Sequence, residues 1–409
     1  QFSRLSAKKD DPFYQQHVYL LKRLAEAKST IIITDLPDLE SLIVSIFTTF
    51  YNLAAKGFPV ELETIITDIL SEVLSEAEVV PHQILQLILQ KFANHDPSKL
   101  LLNSGITSPE FNFSLAICEN NIDRMSRLVA QYFSEILYDN TNHIEEEVTE
   151  DDKSKLNSKF DTKFSQAMDI LKKVHHLSIQ LWKFIPSVLS SVMALIDDEL
   201  NADDEKVRIL ATVTIGQMLG SPVYLSASTN VNFFVTHKQT WNNWLKKTSD
   251  VSSNVRSKWV QQIPNIICSN NYTTTEINQM LSACVHKCLV DTEEKVREAA
   301  CVCLSEIPYQ HFINKIATTE LINTLFQLTR EKHASIRKIS IKTLGSYYAS
   351  YMKVEKNTLS EIGTELKDSI LSIPNQILSL VYINNKEITT LVDLAVFEDM
   401  LPILDLNPE

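Results

Sequence analysis

Glycine is the scarcest feature of this sequence. The 409 residues contain only six glycines, whereas about 7% is usual. No three of them form the G-x-G-x-x-G pattern of a dinucleotide site, no pair forms the G-x-x-x-x-G-K pattern of a P-loop, and the nucleophile-elbow spacing G-x-S-x-G is missing. Both phosphate-binding patterns need the close backbone approach that glycine allows. The commonest nucleotide and hydrolase sites are therefore excluded.

The sequence also lacks a positive net charge, a cysteine pattern typical of disulfides and long apolar runs. The net charge is −13, and a protein that binds DNA along its length needs a basic stripe, so contact with DNA is expected to be indirect at most. No run reaches the ~18 apolar residues of a membrane span. Six cysteines in so long a chain favour a reducing compartment over a secreted disulfide framework. The absence of an initiator methionine indicates a fragment of a longer protein.

Helix signals are abundant by contrast. Apolar residues recur at helical spacing in roughly nineteen segments. The β-branched run 29–34 has no neighbouring run with which to form a sheet. Residues 143–152 carry six acidic and no basic side chains, and such a density of like charge cannot be buried. We therefore predict helices on both sides of a mobile acidic loop.

An internal repeat occupies the second half of the chain. Four arginines follow a β-branched residue at intervals of 48, 41 and 40 residues. The dipeptides are Val207-Arg208, Val255-Arg256, Val296-Arg297 and Ile336-Arg337. An acid stands six residues before the last three arginines, at Asp250, Asp291 and Glu331. A period near 40 with two helices per unit is typical of HEAT or armadillo repeats.

The repeat predicts both the architecture and a structural role for its charged residues. We expect an all-α HEAT-repeat solenoid, elongated and curved, with helical repeats over 1–142, the acidic loop over 143–158 and HEAT repeats over 159–409. Each arginine lies in the first turn of a second helix and can reach an acid at the turn of its own or the next repeat. Such a ladder would fix the register of the repeats. The architecture alone does not define a function, since such rods serve many partners.

Candidate catalytic and metal sites fail on geometry. One group of potential metal ligands comprises Cys284, His286, Cys288, Cys301 and Cys303. Their helical positions diverge and match no tetrahedral zinc motif. His175 and His176 are adjacent and cannot share a helix face. The acidic cluster over 197–205 lacks the glycine and alternating ligands of a calcium loop and is interpreted as a solvated turn. We predict no metal, no cofactor and no enzymatic activity.

Two surface features are candidates for binding. The segment 330–356 has seven basic and two acidic residues. Its basic patch comprises Arg330, Lys332, Arg337, Lys338 and Lys342. It is either a solvated helix face or a face that meets phosphates or an acidic peptide.

The second candidate lies near residues 370–384. The apolar face of this helix is predicted to comprise Ile370, Ile373, Ile377, Leu380 and Val381. Leu378 and Tyr382 lie together outside it, so they are either covered by the following helix over 386–400 or free to bind a partner helix.

Several blocks, in order along nearly the whole chain, resemble a known family. They are Phe13-Tyr14, 18–24 (VYLLKRL), 34–37 (TDLP), 69–81 (ILSEVLSEAEVVP), 123–127 (DRMSR), 132–136 (YFSEI), 328–333 (LTREKH), 381–384 (VYIN) and 397–402 (FEDMLP). The sequence is similar to the cohesin-associated regulators of sister chromatid cohesion, the "precocious dissociation of sisters" family. It looks closest to the N-terminal part of fungal members.

The resemblance implies a function that composition and spacing do not. It implies a non-enzymatic regulatory subunit of cohesin, nuclear and chromatin-associated, that binds the kleisin subunit and controls the maintenance and release of cohesion. A Wings-apart-like releasing factor and a cohesin acetyltransferase are further implied partners. The kleisin-binding residues would be Leu378, Tyr382, Ile383 and Asn384, and Glu76 would mark the releasing-factor region. The alternative is a HEAT-repeat adaptor of another class, such as a transport receptor or a phosphatase scaffold.

Overall fold

The computed structural model describes residues 12–28, 38–57, 59–94, 108–145, 157–221, 232–269, 274–353, 363–383 and 385–401. Within these ranges the chain forms helices and turns, and no β-strand occurs, so the all-α prediction is confirmed. The run 29–34 lies outside the described residues.

The helices follow one another closely along the chain. The α-helices are α1 (Tyr14–Glu26), α2 (Leu39–Ala54), α3 (Val60–Glu76), α4 (His82–Ala93), α5 (Pro109–Asn120), α6 (Ile122–Glu145), α7 (Asn157–Phe184), α8 (Val192–Leu200), α9 (Glu205–Gly220), α10 (Phe233–Thr236), α11 (Lys238–Lys246), α12 (Ser253–Val260), α13 (Ile263–Cys268), α14 (Thr275–Leu289), α15 (Glu294–Glu306), α16 (Tyr309–His311), α17 (Thr319–Leu328), α18 (Ala334–Lys353), α19 (Thr364–Ser379) and α20 (Lys386–Leu394). Short 3-10 turns occupy Pro186–Leu189, Lys247–Ser249 and Leu380–Ile383, and π-helical turns occupy Phe312–Ile316 and Ala395–Met400.

The described chain divides into two compact units, one ending at Leu195 and the other beginning at Ile196, within α8. Of the predicted acidic loop, residues 146–156 lie outside the described residues. The ends of that segment are helical, because α6 reaches Glu145 and α7 begins at Asn157.

An aromatic core holds the N-terminal unit together. The rings of Phe92 and Phe184 both approach Phe111 edge-on, with centroids 5.3 and 4.8 Å away, a favoured geometry for aromatic pairs. This joins α4, α5 and α7. Helix α5 begins where it does because the Ser108 hydroxyl accepts a hydrogen bond from the Phe111 amide, and Pro109 occupies the first turn.

In the C-terminal unit α14 packs against α15 and α17 packs against α18. The second helices of successive repeats, α9, α12, α15 and α18, pack one on the next. Helices α9, α12 and α20 are capped by the side chains of Asp204, Ser252 and Asn385, respectively. Each of these side chains accepts hydrogen bonds from backbone N–H groups of the first turn. Polar caps close these turns without any need for left-handed glycine.

The residues of the repeat motif are buried at equivalent positions. The β-branched residue, the third residue after the arginine and the seventh after it are all buried in each repeat. These residues are Val207, Ala211 and Ile215; Val255, Trp259 and Ile263; Val296, Ala300 and Leu304; and Ile336, Ser340 and Leu344. These positions therefore form the core face of the repeat.

Two glycines in α9 mark a close approach of helices. A Cβ added at Gly216 would lie 2.5 Å from Gln262 Cβ, and one added at Gly220 would lie 2.7 Å from Asn265 Cβ. By contrast, a Cβ at Gly345 in α18 would meet its nearest atom, on Asp399, at an ordinary 3.4 Å. Helix α9 therefore needs glycine for space rather than for backbone freedom.

The Gly216→Ala variant tests this packing. We expect it to lower the free energy of unfolding by about 1–3 kcal/mol, because overpacking outweighs the gain in helix propensity. The matched variant Gly345→Ala should leave stability unchanged or raise it by up to ~1 kcal/mol. Urea unfolding followed by circular dichroism measures both. Equal stability of the two variants would show that α9 is not held against α13 at this distance.

Candidate partner-binding surface

A ladder of arginine–carboxylate pairs connects successive repeats of the C-terminal unit. The pairs are Arg208–Asp250 (3.1 Å), Arg256–Asp291 (2.7 Å), Arg297–Glu331 (3.2 Å) and Arg337–Glu387 (2.7 Å). In every pair the acid belongs to the next repeat rather than to the arginine's own. The sequence did not indicate Glu387, which lies in the first turn of α20 instead of six residues before an arginine.

Each ladder arginine also binds its own turn. Its Nη1 atom donates to the carbonyl oxygens six and five residues earlier, over 2.7–3.2 Å. For Arg256 these acceptors belong to Asp250 and Val251. One guanidinium thus closes the turn that precedes it and fixes the turn of the following repeat. The acid at the −6 position serves the preceding repeat's arginine, which explains why Ala202 suffices before Arg208.

Partial burial of both side chains distinguishes the first three pairs from exposed ion pairs. The side chains of Arg256 and Asp291 are only 12% and 10% exposed. Burial acts to raise the pKa of Asp291, but hydrogen bonds from Arg256 and the Glu293 amide, together with the arginine's charge, outweigh it and leave that pKa below its usual range. The charged form of Asp291 is therefore favoured in the fold.

The acidic cluster over 197–205 is only in part the solvated turn that the sequence predicts, since Asp198 and Asp203 are exposed whereas Asp197 is buried. Asp197 accepts two hydrogen bonds from the Asn243 amide at 3.0 and 3.1 Å. Glu205 accepts from the Ser252 hydroxyl at 2.7 Å, and this bond lowers the Glu205 pKa. These carboxylates connect the first two repeats of the unit.

Breaking one ladder pair should cost stability. Arg256→Ala leaves Asp291 and two carbonyl groups without their donor in a poorly solvated site, so we expect a loss of about 2–4 kcal/mol in the free energy of unfolding. Arg23→Ala is the control, because Arg23–Glu26 is an ion pair of 3.1 Å in which both side chains are 63% exposed; it should lose much less stability than Arg256→Ala. Thermal and urea unfolding measure both, and equal losses would contradict a special role for the ladder.

An exposed apolar surface lies where α19 ends. Leu378 is 50% exposed, Tyr382 91% and Ile383 41%. We call this the 378–383 surface. Neither α20 nor the turn Ala395–Met400 covers Tyr382, so the first of the two alternatives is wrong for this residue. Asn384 lies outside the described residues.

Two features of this surface were not predicted. Val381 was assigned to the core face but is 40% exposed, because α19 ends at Ser379 and the tighter 3-10 turn Leu380–Ile383 rotates the following side chains outward. Leu371 is also exposed, seven residues before Leu378 and on the same helix face. This heptad spacing was readable in the sequence.

The basic patch is smaller than predicted. Arg337 is buried and bound to Glu387 and to its own turn, so it belongs to the ladder and not to an exposed patch. Arg330, Lys332, Lys338 and Lys342 are exposed. Arg330 lies over the Phe326 ring at 5.5 Å. The charge of Lys342 acts on Asp399, which reduces the net positive charge of this face.

Glu76 is exposed at the last residue of α3. A cleft of about 680 Å³ is lined by residues within 78–83, which follow Glu76 in the sequence, and by residues within 38–44. The residues that line it are Asp38, Leu39, Glu40, Ser41, Val44, Glu78, Val79, Pro81, His82 and Gln83. His82 also pairs with Glu135 at 2.8 Å. The lining of the cleft contains both exposed acidic side chains and apolar side chains. Glu76 itself is not part of the lining.

The cysteines and histidines considered above have structural environments. Burial raises the pKa of the Cys288 thiol to about 12 and that of Cys301 to about 11. His175 is buried whereas His176 is exposed, as their helix positions predict. Across the described ranges, no group of three or more metal-ligating side chains is arranged to hold an ion. In the same ranges no helix has both the length and the apolar content to cross a bilayer.

Comparison with known sequences shows that one protein family matches nearly the whole chain. The family model described as "Sister chromatid cohesion protein PDS5 protein" matches residues 1–408. The sister chromatid cohesion protein PDS5 of Saccharomyces cerevisiae is 31% identical over 403 residues, which are 98% of this chain and 29% of the yeast protein. Its Schizosaccharomyces pombe counterpart is 24% identical over 404 residues, 98% of this chain and 31% of that protein. The chain thus spans under a third of these curated relatives.

Comparison with solved structures indicates the same family. A structure of the Pds5–Scc1 complex aligns with 100% of this chain and 57% of its own, with a TM-score of 0.80 and 30% sequence identity. The likeness extends over both units of the chain and supports the HEAT-repeat assignment.

Proposed function

Because the chain belongs to the PDS5 family of sister chromatid cohesion proteins, we propose that it is a regulatory component of cohesin that binds the kleisin Scc1 and controls the maintenance and release of sister chromatid cohesion. It acts by binding rather than by catalysis, in the nucleus and on chromatin. The observation that carries the proposal is the similarity over the full chain to a Pds5 that has been solved as a complex with Scc1.

We assign Scc1 binding to the 378–383 surface. Tyr382 combines 91% exposure with an aromatic ring, and such residues often dominate binding energy once a partner buries them. Leu378 and Leu371 extend the exposed apolar stripe along α19. This stripe suits one face of an amphipathic helix of Scc1.

Further partners follow from the family and are assigned more coarsely. We propose that a Wings-apart-like releasing factor acts on the N-terminal unit, near Glu76 and the cleft beside it, and that a cohesin acetyltransferase is a further partner. The exposed acidic and apolar groups of that cleft suit a partner segment with basic and apolar side chains.

The Tyr382→Lys variant tests the assignment of the Scc1 surface. We expect at least ~30-fold weaker binding of an Scc1 fragment, because contact would desolvate the ammonium group without a partner. Stability should stay within ~0.5 kcal/mol of the unsubstituted chain, since the substituted ring contacts mainly solvent. Isothermal titration calorimetry gives the affinity, and circular dichroism gives the melting temperature.

Tyr138→Lys is the matched control. Tyr138 is 68% exposed on α6 in the other unit, so this variant adds the same charge and should bind Scc1 normally. Normal binding by Tyr382→Lys would place the Scc1 site elsewhere. If Tyr382→Lys unfolds, Tyr382 is a core residue. If the unsubstituted chain fails to bind Scc1, the alternative of a HEAT-repeat adaptor of another class is favoured.

A further inference from the structure

The last ladder pair differs from the other three in its acid. In the earlier pairs the acid lies in a turn and is at most 19% exposed, whereas Glu387 lies on a helix and its side chain is 51% exposed. Even so, its Oε2 atom lies 2.7 Å from Arg337 Nη2. Arg337 is 10% exposed and is fixed from the other side by the carbonyl oxygens of Glu331 and Lys332, at 2.9 and 2.7 Å.

Glu387 follows the last residue of the exposed 378–383 surface by four positions in the sequence. The 3-10 turn that carries Tyr382 has only one buried side chain, Leu380, so packing alone does little to orient it. Its position depends on what holds the helices at its two ends. On one side α19 is anchored by the buried Ile377.

On the other side, the start of α20 is held by three contacts. Asn385 caps the helix by accepting from the amides of Glu387 and Ile388, at 2.9 and 3.4 Å. Ile388 is buried. The carboxylate of Glu387 then ties this first turn to Arg337 on α18. Helix α20 also packs on α18 of the preceding repeat, and the ion pair adds to that packing a directional contact through a rigid guanidinium.

We propose that the Arg337–Glu387 pair positions the 378–383 surface for its partner, so that Glu387 is a positioning residue for Scc1 binding. The inference rests on the proposed function. It assigns to the ladder's last pair a role in recognition that the first three pairs lack. Glu387 acts through the orientation of Tyr382 and does not touch Scc1.

A double-mutant cycle tests this role. We expect Glu387→Ala to weaken Scc1 binding by about 3–10-fold in the otherwise unsubstituted chain, and to have no further effect in the Tyr382→Ala background, because the effect passes through Tyr382. Glu387→Gln keeps an oxygen acceptor at the same reach and should retain most of the affinity. Asp250→Ala breaks a ladder pair in an earlier repeat, and at a temperature where all variants are folded it should leave Scc1 binding unchanged.

A readout without Scc1 separates this inference from the proposed function. In the free protein, amide hydrogen exchange over residues 380–388 should be faster in Glu387→Ala than in Glu387→Gln, while exchange in α14 and α15 stays the same. Unchanged exchange over 380–388, normal Scc1 binding by Glu387→Ala, or an equal loss in both backgrounds would each overturn the positioning role. Failure of the unsubstituted chain to bind Scc1 would instead overturn the proposed function, and the exchange result would still stand.

Discussion

The C-terminal unit depends on one joint, the guanidinium that binds two turns at once. Each ladder arginine donates to two carbonyl groups of its own turn and forms an ion pair with a carboxylate of the next repeat. An exposed ion pair would contribute at most about 1 kcal/mol, but the guanidinium here also satisfies backbone acceptors that would otherwise lack donors. Because the apolar contacts between helices are non-directional, this joint adds directional contacts from one repeat to the next.

The shortage of glycine follows from the same plan. Turns closed by arginine and by Asp, Ser and Asn caps need no left-handed residues, and Gly57 is the one glycine with positive φ in the described part of the chain. Gly216 and Gly220 serve a different purpose, since they let α9 approach α13. Two of the six glycines therefore serve a helix contact, where a side chain would not fit.

The repeat was predictable from the sequence because its residues recur with a fixed period. Val207, Val255, Val296 and Ile336 lead directly to the core positions, and the arginines that follow them were rightly expected to pair with acids. Glu387 escaped prediction because it has a different offset from its arginine. The exposure of Val381 escaped prediction because helical spacing was assumed up to residue 384, whereas Leu380–Ile383 form a 3-10 turn. Arg337 was assigned to both a surface patch and the ladder, and only burial distinguishes the two roles.

Recognition on this scaffold is a matter of which apolar side chains the repeats leave outside. On α19 the core takes Ile370, Ile373 and Ile377, whereas Leu371, Leu378 and Tyr382 form a second stripe that faces solvent. The most direct test is amide hydrogen exchange of the chain with and without a saturating Scc1 fragment. The account predicts protection within residues 371–383 and none in the turns around Val251 and Val290. Protection confined to the cleft near Val79, with none on α19, would contradict it.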